Sequence, residues 1–273
     1  METTINKDTR LCMSLSGRPG NFGTRFHNYL YRELGLNFIY KAFTTSDLPG
    51  VITGIRALGI RGCAVSMPFK EACIEWLNEL DPSARGIMSV NTIVNTDGVL
   101  RGYNTDYTAV YSLLKSRAVP SHLEFVLRGS GGMAKAVACA LKDAGFTKGT
   151  IVARNESAGT ALASLYGYRW ESDLADATPG LLINVTPIGM TGGTEAEELS
   201  FPSRMIESAE VIFDVVAIPT ETPLIRKAGA LGKPFISGAD VIVLQAVEQF
   251  VLYTGVRPTD NLIAQAAAFA RQA

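Results

Sequence analysis

The sequence predicts a two-domain α/β protein: an N-terminal α/β domain, a doubly wound second domain, and C-terminal helices that pack back on the first. Short β-branched segments alternate with amphipathic helical patterns over nearly the whole chain, which is typical of buried, parallel strands. A glycine-rich segment separates one such strand from a helix. Two helical segments without a following strand close the chain.

The first half of the chain alternates apolar strands with helices. Strands are predicted at 11–15, 38–44 and 62–66, and helices at 27–36, 47–58 and 106–117. The polar segment between the third strand and the last of these helices is interpreted as loops that follow apolar strands. We expect this half, residues 1–107, to form one domain together with residues 240–273.

The second half has the pattern of a doubly wound, or Rossmann, domain over residues 108–239. A short strand at 124–129 precedes a helix at 133–146, in which Val137, Leu141 and Ala144 share one face. Further strands are predicted at 149–153, 180–186, 210–216 and 233–237, and the closing helices at 238–255 and 261–273. This spacing predicts a parallel sheet with helices on both faces.

Composition narrows the class of protein. Hydrophobic residues make up 47% of the 273 residues, and 25 Lys and Arg nearly balance 26 Asp and Glu. Without a basic run, nothing favours a nucleic-acid partner. The polar start and the short apolar runs predict a cytoplasmic protein that is neither exported nor membrane-bound. Four cysteines without C-x-x-C spacing and only two histidines predict reduced thiols and no metal site.

The strongest local signal is a dinucleotide fingerprint placed between a strand and a helix. It reads Gly129-Ser130-Gly131-Gly132-Met133-Ala134. Glycines permit a tight turn and let the backbone approach a pyrophosphate at the positive end of the helix. The alternative is a strand-to-helix turn that binds nothing, which the four further strands downstream make less favoured.

The tip of the next strand distinguishes the two nicotinamide cofactors. NAD-binding domains place an acid there to hold the ribose 2′-hydroxyl, whereas this chain has Arg154 and Asn155. A guanidinium favours a 2′-phosphate through charge and paired hydrogen bonds. We therefore predict NADP rather than NAD, unless Arg154 is only a solvated strand-end charge.

Oxidation of an alcohol by hydride transfer also requires a group that takes up the hydroxyl proton. With two histidines in the chain, Lys and Asp are the side chains to consider. Polar residues crowd two segments that follow apolar strands, namely Ser66, Lys70, Asn91, Asn104, Thr105 and Asp106. These segments are the candidate chemical site.

Several motifs resemble those of the shikimate dehydrogenases. The segment 62–70, GCAVSMPFK, is similar to that family's G-x-N-V-T-x-P-x-K, and 102–106, GYNTD, to its G-x-N-T-D. Further matches, in the same order along the chain as in the family, are His27-Asn28, Val90-Asn91-Thr92, the Gly129 loop, Ala153-Arg154-Asn155, Asn184 to Met190, Thr222-Pro223, and Gly238 with Gln245.

The resemblance implies roles for individual residues. Lys70 and Asp106 would be the catalytic pair, Asn91 and Gln245 would bind ring hydroxyls, and Ser66 would replace a threonine hydroxyl. Thr186 and Gly238 would join the Gly129 loop at the cofactor. The implied activity is the NADP-dependent interconversion of shikimate, or a similar hydroxylated ring acid, with its 3-dehydro ketone, as in the chorismate pathway of aromatic amino acid biosynthesis.

The chain departs from the family in the implied substrate pocket. An ungapped match places Asn21-Phe-Gly23-Thr24 at the family's S-x-S-P, whose serines hold the substrate carboxylate, and Ser14-Leu-Ser16 lies seven residues too early. Ala64 and Ala217 replace an asparagine and a tyrosine. Each lost hydrogen bond to a charged group costs about 1.5 to 3 kcal/mol, so we expect weak activity on shikimate, with Asn21 among the substrate contacts.

Two alternatives remain at this stage. One is a dehydrogenase of quinate or another hydroxy acid, with the same Lys70 and Asp106 but another pocket shape. The other is a non-catalytic sensor that binds NADP or a related ligand, for which a lysine–aspartate pair has no chemical use. In either case we expect a small-molecule ligand and a monomer or homodimer.

Overall fold

The structure is a computed structural model that describes residues 5–174 and 178–272. The chain forms two compact units. The first unit contains the residues up to Thr105 and those from Val243 onward, and the second runs from Asp106 to Ile242. The sequence-based limits, after residues 107 and 239, lie two and three residues from these.

The first unit is built on a six-stranded sheet of mixed direction, in the order β2-β1-β3-β5-β6-β4. Its strands are β1 (Arg10–Leu15), β2 (Phe38–Phe43), β3 (Gly62–Val65), β4 (Glu79–Leu80), β5 (Thr92–Thr96) and β6 (Val99–Tyr103). β1, β2 and β3 are parallel. β5 runs antiparallel to both β3 and β6.

Helices cover both faces of this sheet. They are α1 (Phe22–Glu33), α2 (Leu48–Ala57), α3 (Phe69–Ala72), α4 (Pro82–Arg85), α10 (Gly238–Thr254) and α11 (Asp260–Arg271), with a 3₁₀ turn at Ile74–Trp76. One apolar cluster joins α1, α10 and α11 through side chains such as Phe26, Phe250 and Ala267. A second cluster joins α2 to the other face through Ile52 and Ile55. The closing helices therefore complete the core of the first unit.

The β5–β6 hairpin lies in a segment that the sequence analysis interpreted as loops, and that interpretation was wrong. Its turn is Asp97-Gly98, with φ of 52° and 88°. Asp-Gly is a strong signal for a two-residue hairpin turn, because both positions need positive φ. The expectation of parallel strands fails here for the same reason, since a two-residue turn joins only antiparallel strands.

The second unit contains a six-stranded sheet in which all strands are parallel, in the order β12-β11-β10-β7-β8-β9. Its strands are β7 (Phe125–Arg128), β8 (Gly149–Val152), β9 (Arg169–Glu171), β10 (Leu181–Asn184), β11 (Val211–Asp214) and β12 (Phe235–Ile236). Read from β9, this is the doubly wound order 3-2-1-4-5-6. The predicted Rossmann fold is confirmed.

The helices of the second unit are α5 (Thr105–Ser116), α6 (Gly132–Asp143), α7 (Glu156–Tyr166), α8 (Ser203–Ser208) and α9 (Pro223–Ala230). α8 and α9 pack on one face of the sheet, where Met205 and Leu224 meet Val126 and Leu182. The alternate strand residues are equally buried, as at Leu127. Both faces of the sheet are therefore covered, as a parallel sheet requires.

All four cysteines are buried and free of disulfides. In the described part of the chain, no helix combines the length and hydropathy needed to cross a bilayer. Residues 5–174 and 178–272 also contain no group of three or more His, Cys, Asp and Glu side chains arranged to hold a metal ion.

Candidate active site

The antiparallel hairpin gathers the polar residues of the first unit at one edge of its sheet. The start of β5 and the end of β6 lie where β1 and β3 end, because β5 reverses direction relative to β3. The backbone N–H of Ser66 donates to Leu15 at 2.9 Å, and that of Asn91 donates to Tyr103 at 3.0 Å. Ser16, Ser66, Asn91 and the residues after β6 therefore share this edge, which we call the first-unit edge.

Asn91 is fully buried at this edge, and only one end of its amide is satisfied. Its Oδ1 accepts from the backbone N–H of Thr105 at 2.7 Å and from the hydroxyls of Thr92 and Thr105 at 2.9 and 3.1 Å. Its Nδ2 has no hydrogen-bond partner among the described residues. Because an unpaired buried N–H is costly, the orientation of this amide suits a ligand oxygen.

Lys70 lies in the short helix α3, directly after the turn that carries Ser66, and its side chain is half-buried. Its backbone oxygen accepts from the N–H of Val90 at 2.8 Å, which places α3 beside the start of the hairpin. Asp106 is the second residue of α5 and is 8% exposed. It follows Thr105, which binds Asn91, but the pairing of Asp106 with Lys70 stays a prediction.

Helix α10 presents two glutamines toward the same edge. Gln249 is buried, and its Nε2 donates to the hydroxyl of Thr92 at 3.1 Å and to the carbonyl oxygen of Asn91 at 3.4 Å. The predicted residue Gln245 lies one turn earlier and is half-buried. Residues four apart share a helix face, so Gln245 lies on the side of α10 that packs against the start of β5.

Asn21 was predicted as a substrate contact from an ungapped match. It is exposed at the N-cap of α1, and its side chain makes no capping hydrogen bond. Ser16 instead follows β1 directly, at the first-unit edge, and its hydroxyl accepts from the N–H of Arg18 at 3.1 Å. The N–H of Gly17 donates to Met67 at 2.9 Å, so the extra residues after Ser16 form a loop against the turn that precedes Lys70.

The His27-Asn28 pair lies in α1 and contributes to the core of the first unit. His27 is fully buried and stacks on Tyr40 with ring centroids 4.4 Å apart. Burial lowers the pKa of His27 to about 3, an effect that the neighbouring Gln249 opposes. Asn28 accepts from the N–H of Tyr40 at 2.9 Å and donates to its carbonyl oxygen at 2.8 Å. These contacts tie α1 to β2.

In the second unit, the glycine-rich turn follows β7. Gly129 has a φ of 123°, and a Cβ there would lie 2.8 Å from Cγ2 of Val185, so a side chain is excluded by both conformation and space. Gly131 caps α6, and a Cβ at Gly131 or Gly132 would meet no atom within 4 Å. The space beside the positive end of α6 therefore fits a phosphate group.

A cavity of about 510 Å³ opens beside this turn. Six of the predicted cofactor-binding residues line it, namely Gly129, Ser130, Gly131, Arg154, Asn155 and Thr186. The Arg154 side chain is exposed at the tip of β8. Asn155 also caps α7, where its Oδ1 accepts from the N–H of Ala158 at 2.9 Å. The cavity lies at the carboxyl ends of the strands, where doubly wound sheets bind dinucleotides.

A buried polar network fixes the loop that carries Thr186. Its hydroxyl donates to Oδ1 of Asn184 at 2.6 Å, and Asn184 donates to Oδ1 of Asp214 at 2.9 Å. The hydroxyl of Thr222 donates to Oδ2 of Asp214 at 2.6 Å. Burial raises the pKa of Asp214 to about 6, although these hydrogen bonds oppose the rise. The two family-like motifs around Asn184 and Thr222 thus meet at one carboxylate.

The other predicted cofactor residues, Gly132, Met133 and Gly238, do not line the cavity. Met133 is half-buried in the first turn of α6, beside Gly132. Gly238 starts α10, and a Cβ there would clash with the backbone oxygens of Val215 and Val216. Gly238 therefore allows α10 to begin close to the end of β11.

Arg128, Ser16 and Gln249 lie at the two candidate sites and were not among the predicted site residues. Arg128, the last residue of β7, lines the same cavity, and the signal was a charged residue at the end of an otherwise apolar strand. Ser16 was displaced by the ungapped match, and the Pro19-Gly20 pair after it was the sign of an inserted loop.

Comparison with known proteins agrees with this architecture. Residues 22–93 match the family model of the shikimate dehydrogenase substrate binding domain. A shikimate dehydrogenase-like protein of Haemophilus influenzae is 62% identical over 98% of this chain and 98% of its own. The NADP(+) shikimate dehydrogenase of Pyrococcus abyssi is 35% identical over 87% of this chain and 89% of its own.

Solved structures extend the likeness to the whole fold. A shikimate 5-dehydrogenase-like protein superposes with a TM-score of 0.97 at 61% identity, covering 98% of this chain and 100% of the other. The shikimate 5-dehydrogenase of Thermus thermophilus, solved with NADP(H) and shikimate, superposes with a TM-score of 0.85 at 29% identity, covering 96% and 99%.

Proposed function

Because the chain belongs to the shikimate dehydrogenase family, we propose that it is an NADP-dependent oxidoreductase that interconverts a hydroxylated ring acid of the shikimate class with its keto form. The observation that carries this proposal is the buried Asn91 amide, held by three hydrogen bonds at Oδ1, with Nδ2 left for a ligand beside the α3 turn of Lys70. A hydroxyl of a ring acid is a matching acceptor.

The second unit supplies the residues that would hold the cofactor. Gly131 and Gly132 leave space beside the N-terminus of α6 for the pyrophosphate, and Arg154 provides a cation at the tip of β8 for a 2′-phosphate. The nicotinamide, when bound, supplies hydride acceptance or donation. Thr186, fixed by Asn184 and next to Gly129, would also bind the cofactor.

Lys70 is the proposed proton carrier. As the free amine it takes the hydroxyl proton while the carbinol carbon is oxidised, and as the ammonium it returns that proton in the reverse direction. Asp106 would hold Lys70 in place and accept a hydrogen bond from a neighbouring substrate hydroxyl. This pair has the clearest chemical purpose in the proposal, because a positioned amine and carboxylate can together move the proton of a substrate hydroxyl.

The remaining residues of the first-unit edge would orient the ring. Asn91 donates from Nδ2, Gln245 reaches toward the ring from α10, and Ser66 offers a hydroxyl after β3. Ser16, at the end of β1, is a better placed contact for the substrate carboxylate than Asn21, because it adjoins Ser66 across the β1–β3 pair.

A dehydrogenase of quinate or another hydroxy acid is the second candidate. Ala64 replaces the asparagine of the family motif on β3, next to Thr92 in the antiparallel pair. This substitution removes a polar side chain and leaves more room at the first-unit edge, which favours a ligand of different outline from shikimate. Ala217, after β11, likewise stands where the family has a larger polar side chain, a tyrosine.

The test is a turnover assay across a panel of hydroxy acids, including shikimate and quinate, with NADP and with NAD, followed by nicotinamide absorbance. We expect reduction of NADP by at least one acid of this class, with NAD used less efficiently. Binding of NADP without reduction by any acid would instead favour the sensor. The cytoplasmic location and the monomeric or homodimeric state stay predictions.

A further inference from the structure

Arg128 is an unusual residue for its position. It ends β7, after the apolar residues Phe125 to Leu127, and directly precedes Gly129. Its side chain is half-buried and lines the 510 Å³ cavity. Partial burial of a guanidinium carries a desolvation cost that needs compensation.

The protein itself compensates that cost only in part. The Nη1 of Arg128 donates to the carbonyl oxygen of Ser200, a neutral partner that uses one of five N–H donors. The ion pairs formed by the described residues include neither Arg128 nor Arg154. Burial lowers the pKa of Arg128 and Arg154 adds to the fall, whereas the carboxylates of Glu195, Asp173 and Glu198 oppose it. Two guanidinium groups thus line the same cavity.

The two arginines emerge from neighbouring strands. β7 and β8 are parallel, Arg128 is in register with Val152, and Arg154 follows Val152 by two residues. Adjacent strands lie roughly 4.8 Å apart, so both side chains start from the same stretch of the sheet edge. Guanidinium groups bind phosphate oxygens through paired hydrogen bonds, and a dianionic phosphate is a ligand that would accept both.

Resting on the proposed function, we propose that Arg128 is a second guanidinium of the subsite for the adenosine 2′-phosphate and, with Arg154, determines the preference for NADP over NAD. The hydrogen bond to Ser200 holds the guanidinium against the cavity wall before the phosphate binds. Such preorganisation reduces the entropy lost on binding.

The competing interpretation is that Arg128 serves only the fold, as an anchor for the loop before α8. Glu195 and Asp173 also line the cavity, and Arg128 would then balance their charge without touching a ligand. The two interpretations differ in whether removal of Arg128 discriminates between ligands with and without the 2′-phosphate.

The experiment uses two probes that differ only in this group, adenosine 2′,5′-bisphosphate and adenosine 5′-monophosphate, with dissociation constants measured by calorimetry on the full chain. Arg128→Met is expected to weaken binding of the bisphosphate by roughly tenfold to a hundredfold and to change binding of the monophosphate by less than about twofold. Arg117→Met, at an exposed arginine after α5, serves as the matched control and should change neither.

Two further variants keep the proposal falsifiable if Arg128→Met folds poorly. Arg128→Lys keeps the charge but loses the paired donors, and it should give an intermediate loss for the bisphosphate alone. Combining each substitution with Arg154→Met tests whether both groups hold one phosphate, in which case the two losses are not additive. Equal losses for both probes, or no loss for either, would overturn the proposal.

The outcomes also separate this inference from the proposed function. If the unmodified protein binds neither probe, the proposed NADP site fails together with the inference. If it favours the bisphosphate and Arg128→Met keeps that preference, only the role of Arg128 is overturned. Turnover of hydroxy acids is not needed for either result.

Discussion

The two units collect their candidate functional residues at a sheet edge by different means. In the second unit every strand is parallel, so the residues after β7, β8 and β10 reach one edge by direction alone. In the first unit, the residues before β5 and after β6 join those after β1 and β3 only because the hairpin is antiparallel. The first site therefore depends on strand pairing and the second on strand direction.

The two edges also differ in the kind of side chain that they carry. The cavity of the second unit carries charged side chains, Arg128 and Arg154 with Asp173 and Glu195. The first-unit edge is built around neutral, buried amides and hydroxyls, chiefly Asn91, with Lys70 beside them. On the proposed function, the second unit would bind the cofactor phosphates through the start of α6 and its arginines, whereas the first would select a substrate by hydrogen-bond geometry and supply the proton carrier.

The largest expected effect separates chemistry in the first unit from binding in the second. Lys70→Ala should lower turnover by roughly a hundredfold to ten-thousandfold, the usual contribution of a positioned acid–base group. Affinity for NADP should stay within a factor of about two. Steady-state kinetics and NADP titration provide both numbers.

Lys41, exposed on β2 in the same unit, offers the control, because Lys41→Ala should leave both quantities unchanged. Full turnover in Lys70→Ala would remove this residue from the mechanism.

The next effect concerns charge in the second unit. Arg154→Asp should shift the ratio of kcat/KM for NADP over NAD by about tenfold or more, because a charge-assisted hydrogen bond to the 2′-phosphate is replaced by repulsion. Kinetics with both cofactors measure the ratio. Arg117→Asp is the matched charge reversal and should not alter it; the same ratio in Arg154→Asp would show that Arg154 does not touch the phosphate.

The third effect concerns the hydrogen bonds that Asn91 makes in the first unit, compared with those of Asn95. Asn91→Ala removes the acceptor used by Thr92 and Thr105, so it should lower the free energy of unfolding by about 1 to 3 kcal/mol and weaken substrate binding as well. Asn95→Ala, at the other end of β5, should lower only stability, because that side chain serves Ile55 and Gly98. Chemical unfolding and substrate titration test both variants, and equal substrate affinity in the two would contradict the role of Asn91.

The smallest effect is a pair of opposite pH dependences. Burial lowers the pKa of folded His27 to about 3 from an ordinary 6.5. Its contribution to the free energy of unfolding is therefore complete above pH 6.5 and is lost as the pH falls toward 3. Burial raises the pKa of folded Asp214 to about 6 from an ordinary 3.8. Its contribution to the free energy of unfolding is therefore complete below pH 3.8 and is lost as the pH rises through 6. Each contributes a slope of at most about 1.4 kcal/mol per pH unit.

Chemical unfolding of the whole chain between about pH 4 and 7 tests both signs. Relative to the unmodified protein, His27→Phe should make stability less sensitive to acid, and Asp214→Asn should make it more so. A shift of the same sign in these two variants would refute the assigned burial effects.

Most of the second unit was predicted from the sequence because its signals are local, although strand β9 was not among the predicted strands. The Gly129 loop lies between a strand and a helix that the pattern identifies, and the parallel order then places Arg154 and Thr186 at the same cavity. Arg128 escaped because its effect depends on which side of the sheet edge its side chain faces, and the loop containing Ser200 is remote in sequence.

The first unit was harder to predict because its site is assembled by non-local pairing. Asn91 was identified as a candidate from its motif, yet its unpaired Nδ2 follows from contacts with Thr105, fourteen residues away. The Asp97-Gly98 pair is itself a hairpin signal, although the segment around it was predicted as loops. The loop after Ser16 changes the register between β1 and α1, and an ungapped match cannot represent an insertion.

The most direct test of the central claim is the fate of the carbinol hydrogen. The protein is incubated with NADP and shikimate, or the best acid of the panel, deuterated at the carbinol carbon, and the reduced cofactor is analysed by mass spectrometry. We predict one deuterium in each reduced nicotinamide with the unmodified protein, and almost none formed with Lys70→Ala. Bound but unreduced NADP with every acid tested would contradict the account.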